Sequence, residues 1–230
     1  PIYLEIVMKY MLRTEWWKWL TMALLLYVFV GGLLLPVPRL PILNETIRVL
    51  YFHVPMWFGM IALFTSSCIQ AIKYLSKEQL TNDIFSVQLA EVGILFGILG
   101  MVSGMFWANY TWGEPWSSDP KQNMSAIALL IYFAYFVLRG SIKDEQQRAK
   151  ISAVYNIFAF ATLIPLLFIL PRLAEDSLHP GNGGNPGFNA YDLDSQMRLV
   201  FYPAVIGWAL LGFWLATIKI RYEIVSEKLG

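Results

Sequence analysis

The sequence predicts an all-α, polytopic membrane protein with six transmembrane helices, and three observations predict it. The 230-residue chain is 57% hydrophobic and 16% aromatic with only 14% charged residues, and its mean hydropathy is +0.52. That is far more apolar than an ordinary soluble domain. Its apolar residues gather into runs that approach the roughly 20 residues a helix needs to cross a hydrocarbon core about 30 Å thick. The runs lack the period-2 alternation of barrel strands, so their backbone polar groups have to be satisfied within helices. The spans fall at Trp16 to Leu35, Val54 to Ile72, Leu89 to Phe106, Met124 to Leu138, Ile151 to Leu170 and Leu199 to Ile220. Residues 1–230 form a single membrane domain, with no repeat and no separate soluble unit.

The first span follows Lys9, Arg13 and Lys18 and is closed by Pro36 and Pro38. It has no small-x-small cleavage pattern and reads as an uncleaved anchor. Pro55 is expected in the opening turn of the second span, where its missing N–H costs little. The fourth span is the shortest. Pro171 closes the fifth, while Pro165 within it and Pro203 within the sixth predict kinks or local distortion.

Charge decides orientation. Of the seventeen Lys and Arg residues, twelve lie in the N-terminal segment, the loops after spans two and four, and the tail. The alternate loops hold the other five, Arg39, Arg48, Lys121, Arg172 and Arg198, which predicts that both termini are cytoplasmic. A net charge of +1 with no basic stripe gives no reason to expect nucleic acid; lipid is the expected partner. Cys68 is the sole cysteine, which leaves neither an intrachain disulfide nor a thiol pair. Without Cys-x-x-Cys-His the chain has no site for covalent haem attachment of the c type.

This orientation puts the only two histidines, His53 and His179, on the outer face, together with the run from Trp112 to Asp119. Residues 107–123 are expected as an external tryptophan-rich loop, and residues 171–198 as a second external loop carrying His179. Its stretch over residues 180–187 is too rich in Gly, Pro and Asn for helix. Two neutral imidazoles from separate elements are suited to the axial positions of haem iron, and a flat macrocycle wants aromatic and small residues against it. Trp57, Phe58, Trp107, Tyr110, Trp112 and Trp116 supply the former and Gly113 the latter. Each feature also has a plain reading: Trp and Tyr crowd any membrane interface, and a lone histidine there usually bonds a carbonyl or water. The two histidines sharing one face is what shifts the balance.

Arg48, and less so Lys121, is a candidate partner for a propionate carboxylate, with lipid phosphate or a helix cap as alternatives. Glu114 and Asp119 do not make an acid pair with a nucleophile and base around them. Asp119 is expected instead to fix its loop by accepting from nearby backbone N–H groups. No bond-making catalysis is expected of this chain.

These residues resemble the CcmC family of haem-handling membrane proteins of cytochrome c maturation. The resemblance rests on Trp112-Gly113-x-x-Trp116-x-x-Asp119, on Phe52-His53-Val54-Pro55, on Leu178-His179, and on six spans covering essentially the whole chain. It implies that His53 and His179 are axial ligands to a transient, non-covalent haem b, and that Trp112 to Asp119 contacts the haem edge. It also implies presentation of haem at the periplasmic side of the bacterial inner membrane to the chaperone CcmE, with CcmA, CcmB and CcmD as neighbours. Ser118 stands where the family usually has tryptophan, and burial of such a side chain contributes on the order of 1.5–3 kcal/mol. Asp119-Pro120-Lys121 is also similar to the related CcsA proteins, but that branch has further spans and histidines. Two other classes remain open: a membrane carrier with permanently bound haem b, which usually holds both ligands within helices, and a solute permease, which wants ionisable groups inside its spans. Glu91 and Gln70 are nearly all the spans offer in that respect.

Overall fold

The computed structural model describes residues 15–39, 43–174, 177, 179 and 193–229, with side chains to residue 226. Among them there is helix and no strand. The elements are α1 (Trp16–Leu34), a 3-10 helix (Asn44–Val49) running into α2 (Leu50–Lys77), α3 (Leu80–Trp112), α4 (Pro120–Ser141), α5 (Glu145–Ile164), a π-helical turn (Pro165–Ile169), α6 (Leu170–Leu173) and α7 (Ser195–Leu229). Six helical stretches are long and apolar enough to cross a membrane, so the chain is a multi-pass, all-helical membrane protein as its composition predicts.

Local chemistry sets the ends. Asp119 caps α4, accepting from the N–H groups of Lys121 and Gln122 at 2.9 and 3.3 Å, with Pro120 in the first turn, where its missing donor is harmless. Asp144 caps α5 and Asp194 caps α7, each accepting from a backbone N–H at 2.7 Å. At Pro165 the ring excludes the regular α ladder, and the Leu170 N–H reaches back five residues to the Pro165 carbonyl. The distortion expected there takes the form of a π turn.

Several boundaries differ from the sequence expectation. The 3-10 turn and the first residues of α2 precede Pro55, which lies inside the helix rather than in its opening turn. Helix α3 continues through Trp112 and α4 begins at Pro120, so non-helical backbone is confined to residues 113–119 instead of 107–123. Likewise α6 and α7 take residues 171–173 and 195–198 out of the expected external loop. Leu178 and residues 175–176 and 180–192 of that loop lie outside the described residues. The shortest span is α1, with 19 residues, and not α4, with 22. At the start of α3, polar residues before the apolar window find partners on neighbouring helices, so that helix has no reason to stop where hydropathy falls.

Helix α2 is central, packing along α3, α7 and α5, while α1 lies on α7 and α4 on α5. The main core joins Met60, Leu63, Phe64, Phe96, Leu129, Tyr132 and Leu163, with Phe64 and Tyr132 stacked at 3.6 Å between centroids. A second core, built from Val28, Ile47, Tyr51, Leu193, Met197 and Phe201, ties α1, the 3-10 helix, α2 and α7 together. It holds the start of α2, and therefore His53, against the C-terminal end of α3.

Candidate functional site: two imidazoles at one end of the bundle

His53 sits on the fourth residue of α2 and faces α3. Its Nδ1 lies 3.1 Å from the Ser103 hydroxyl, which itself donates to the Gly100 carbonyl at 3.0 Å. A Cβ on Gly104 would fall 2.7 Å from His53 Cε1, so the ring rests directly on the α3 backbone and only glycine leaves room for it. Trp57 and Trp107 meet the ring edge-on at centroid distances of 6.3 and 5.9 Å. The Trp107 indole is anchored in turn, its Nε1 donating to Thr46 Oγ1 at 3.1 Å.

His179 is positioned from the other side of the same helix end. Its ring packs against Trp112, the last residue of α3, with 5.1 Å between centroids. Its Nδ1 lies 2.7 Å from Asp119 Oδ1, in contact but without a linear N–H···O alignment. Asp119 is buried. Besides capping α4 it accepts from the Ser177 hydroxyl at 2.8 Å, and the same hydroxyl accepts from the His179 backbone N–H at 3.3 Å. The carboxylate thus pins the histidine segment to the tryptophan segment.

Between them, residues 113–119 turn back toward the membrane. Gly113 ends α3 with φ at +86°, a left-handed position suited to glycine, and its N–H bonds the Asn109 carbonyl at 3.2 Å. A Cβ there would meet nothing, so Gly113 is required by the backbone turn rather than by close approach of another group. Gln122 holds the turn: its Oε1 accepts from Ser117 N–H at 2.9 Å and its Nε2 donates to the Pro115 carbonyl at 2.8 Å. Trp116 is 41% exposed, and Glu114 and Ser118 are exposed.

An apolar cleft of about 290 Å³ opens beside His53, lined by Thr46, Val49, Ser103, Phe106, Trp107 and Tyr110. His53 itself does not line it, but Ser103 and Trp107, which hold the His53 ring, form part of its wall. Phe106 and Tyr110 stand 65% and 79% exposed at its mouth.

Of the expected site residues, the structure therefore gathers His53, His179, Trp112, Gly113 and Asp119 around the last two turns of α3, with Trp116 on the adjoining turn. Arg48 is engaged elsewhere. Its Nε pairs with Glu45 at 2.7 Å, and Nη1 donates to the carbonyls of Gly32 and Leu35 at 2.9 and 2.7 Å, making it the C-terminal cap of α1. Phe58 packs on Phe201 in the second core. Lys121 contributes its backbone N–H to the Asp119 cap. Sequence reasoning missed Ser103, Gln122 and Ser177. Small polar residues inside or beside apolar runs carry no pattern of their own; Ser103 is marked only by standing one α-helical turn before Trp107.

The donor set suits haem. Among the described residues no group of three or more His, Cys, Asp or Glu side chains gathers as a metal-ion site, whereas two imidazoles match an iron whose four equatorial positions a porphyrin already fills. The surroundings are aromatic, and both Nδ1 atoms face a side-chain oxygen, as the non-ligating nitrogen of a ligating histidine usually does.

Comparison with known proteins gives the same direction. The chain is similar to heme exporter protein C of Haemophilus influenzae, 24% identical over 186 residues that cover 80% of this chain and 74% of that protein. It is 22% identical to heme exporter protein C of Rhodobacter capsulatus over 196 residues, 81% of this chain and 76% of that protein. A shorter stretch of 101 residues, 44% of the chain, is 37% identical to cytochrome c biogenesis protein CcsA of a Synechococcus species and covers 33% of it. The family profile of CcmC, heme exporter protein C, matches residues 5–230, and the chain belongs to that family.

Proposed function

We propose that this protein binds haem b, non-covalently and transiently, at the periplasmic side of the bacterial inner membrane, and passes it to a haem chaperone for c-type cytochrome biogenesis. The observation that carries this reading is the placement of both histidines at one end of α3, each with Nδ1 turned to a side-chain oxygen, so that the Nε2 atoms are the nitrogens turned away from those contacts. His53 and His179 are the residues that would hold the haem iron. Trp112 and Trp116 offer aromatic surface to the macrocycle, Gly113 sets the turn that presents them, and Asp119 orients His179. Arg48 serves by locking α1 to the 3-10 helix that leads to His53, with its guanidinium on the α1 carbonyls rather than reserved for a propionate.

When bound, haem supplies an iron that accepts two nitrogen lone pairs; the chain supplies position. In this reading its role is binding and handover, and covalent chemistry belongs to the receiving chaperone. The partners in this reading are CcmE as receiver and CcmA, CcmB and CcmD as membrane neighbours. His53→Ala and His179→Ala proteins purified from a haem-replete host should each lose or shift the haem absorption bands seen in the parent protein. Unchanged spectra and haem content in both variants would overturn the reading.

A further inference from the structure

We propose that Ser103 is a positioning residue that holds His53 in the Nδ1–H tautomer and so keeps the Nε2 lone pair available for a ligand. The geometry assigns the proton. A serine hydroxyl has one hydrogen to give, and Ser103 gives it to the Gly100 carbonyl at 3.0 Å. Toward His53, 3.1 Å away, the same oxygen is left to accept. The hydrogen in that contact therefore comes from the imidazole, which places it on Nδ1 and leaves Nε2 bare. A free neutral histidine in water favours the opposite tautomer, with its proton on Nε2, so the hydroxyl acts against the intrinsic preference of the ring.

Ring rotation would undo this assignment, and three contacts oppose it. The Gly104 backbone lies flat against the ring edge, with the position of an added Cβ only 2.7 Å from Cε1 and 3.3 Å from Nδ1. Trp57 and Trp107 close on it at 77° and 75° to its plane. The Trp107 indole cannot follow a rotating ring without giving up its bond to Thr46 Oγ1. His179 reaches a comparable orientation by different means, through a buried carboxylate. The two rings are therefore backed by different groups: a hydroxyl behind His53 and a carboxyl group behind His179.

What binds at Nε2 rests on the haem reading above; the tautomer does not. The test begins without haem. The chain has only two histidines, so in a His179→Ala background, nitrogen-15 labelling of histidine reports on His53 alone by magnetic resonance in detergent micelles. The expected spectrum shows a protonated Nδ1 and an unprotonated Nε2. Ser103→Ala should move the population toward Nε2–H, and Ser103→Thr, which keeps the hydroxyl and places its methyl at the open cleft, should restore the parent pattern. Haem titration of the variants with His179 present gives the second readout. Loss of a second-shell partner typically weakens metal affinity by about 10- to 100-fold, so Ser103→Ala should weaken binding by at least about tenfold and Ser103→Thr should recover it. An Nε2–H signal in the parent, or a Ser103→Ala spectrum identical to it, would overturn the proposal. Failure of the haem reading would show differently, as His53→Ala binding haem like the parent with the tautomer result intact.

Discussion

Asp119 engages both carboxylate oxygens at once: Oδ1 takes the Lys121 and Gln122 N–H groups and faces His179, and Oδ2 takes the Ser177 hydroxyl. Substitutions separate these duties. Asp119→Asn keeps an oxygen able to cap α4 but removes the charge facing the imidazole; Asp119→Ala removes both. Losing an N-cap costs about 0.5–2 kcal/mol, so Asp119→Ala should lower the thermal unfolding midpoint in detergent while Asp119→Asn leaves it close to the parent. Haem affinity should fall in both, by about 10- to 100-fold if the carboxylate acts as the second shell of His179. Equal haem affinity in Asp119→Asn and the parent would remove that role. Gly104 makes the complementary case on the His53 side. An alanine there puts its Cβ 2.7 Å from the ring, and overpacking of this kind costs about 1–3 kcal/mol. Gly104→Ala should therefore displace His53 from Ser103 and lose haem binding with only a modest loss of stability, measured by titration and thermal unfolding on the same preparation.

At the scale of elements, the six apolar windows were legible because length and hydropathy depend on composition alone, and so were the bonds of Asp119 to nearby backbone N–H groups and the distortion at Pro165. What was not legible is how far the helices run past those windows. Helix α3 begins at Leu80, nine residues before its apolar window, through Asn82, Asp83, Ser86 and Gln88, all of them buried. For Asp83 and Ser86 the partners come from distant sequence. Ser67 and Ser86 each donate to the other's carbonyl, at 2.6 and 3.0 Å, and Asn156 Nδ2 reaches both hydroxyls, at 2.7 and 2.9 Å. Arg139 grips Asp83 with two bonds of 2.8 and 2.6 Å. Within the site the same limit applied: the histidines and the tryptophan run stood out by residue type, whereas Ser103, Gln122 and Ser177 acquire meaning only from what they face. The Asp83–Arg139 pair carries a prediction of its own. Removing one partner of a buried pair typically costs about 3–5 kcal/mol because the other charge is left unpaired, and lysine cannot reproduce the two-pronged grip. Arg139→Met should sharply lower the unfolding midpoint and Arg139→Lys should rescue it only in part; haem affinity per folded molecule should stay unchanged in Arg139→Lys, since the pair is remote from both histidines.

For the whole molecule, six crossings would put the start of α1 and the end of α7 on one side of the bilayer and the His179 segment on the other. Exposed aromatic residues mark both levels. Trp16 and Trp19 at the start of α1 and Tyr222 near the end of α7 are 68%, 69% and 72% exposed, and Phe106 and Tyr110 stand exposed at the opposite end of the bundle. Tryptophan and tyrosine favour the two interfaces without distinguishing them, so these belts fix the membrane planes but not which is outside. The Lys and Arg excess gives the expected sense, with the termini cytoplasmic. The lone buried Cys68 makes the assignment directly testable. In a Cys68→Ser background, Ser118→Cys, on the exposed turn between α3 and α4, should react with a membrane-impermeant maleimide in intact spheroplasts. Lys77→Cys, exposed at the far end of α2, should react only after permeabilisation. The reverse pattern would put both histidines on the cytoplasmic face, where no periplasmic chaperone could reach haem held between them, and the handover reading would fall even with the ligand geometry intact.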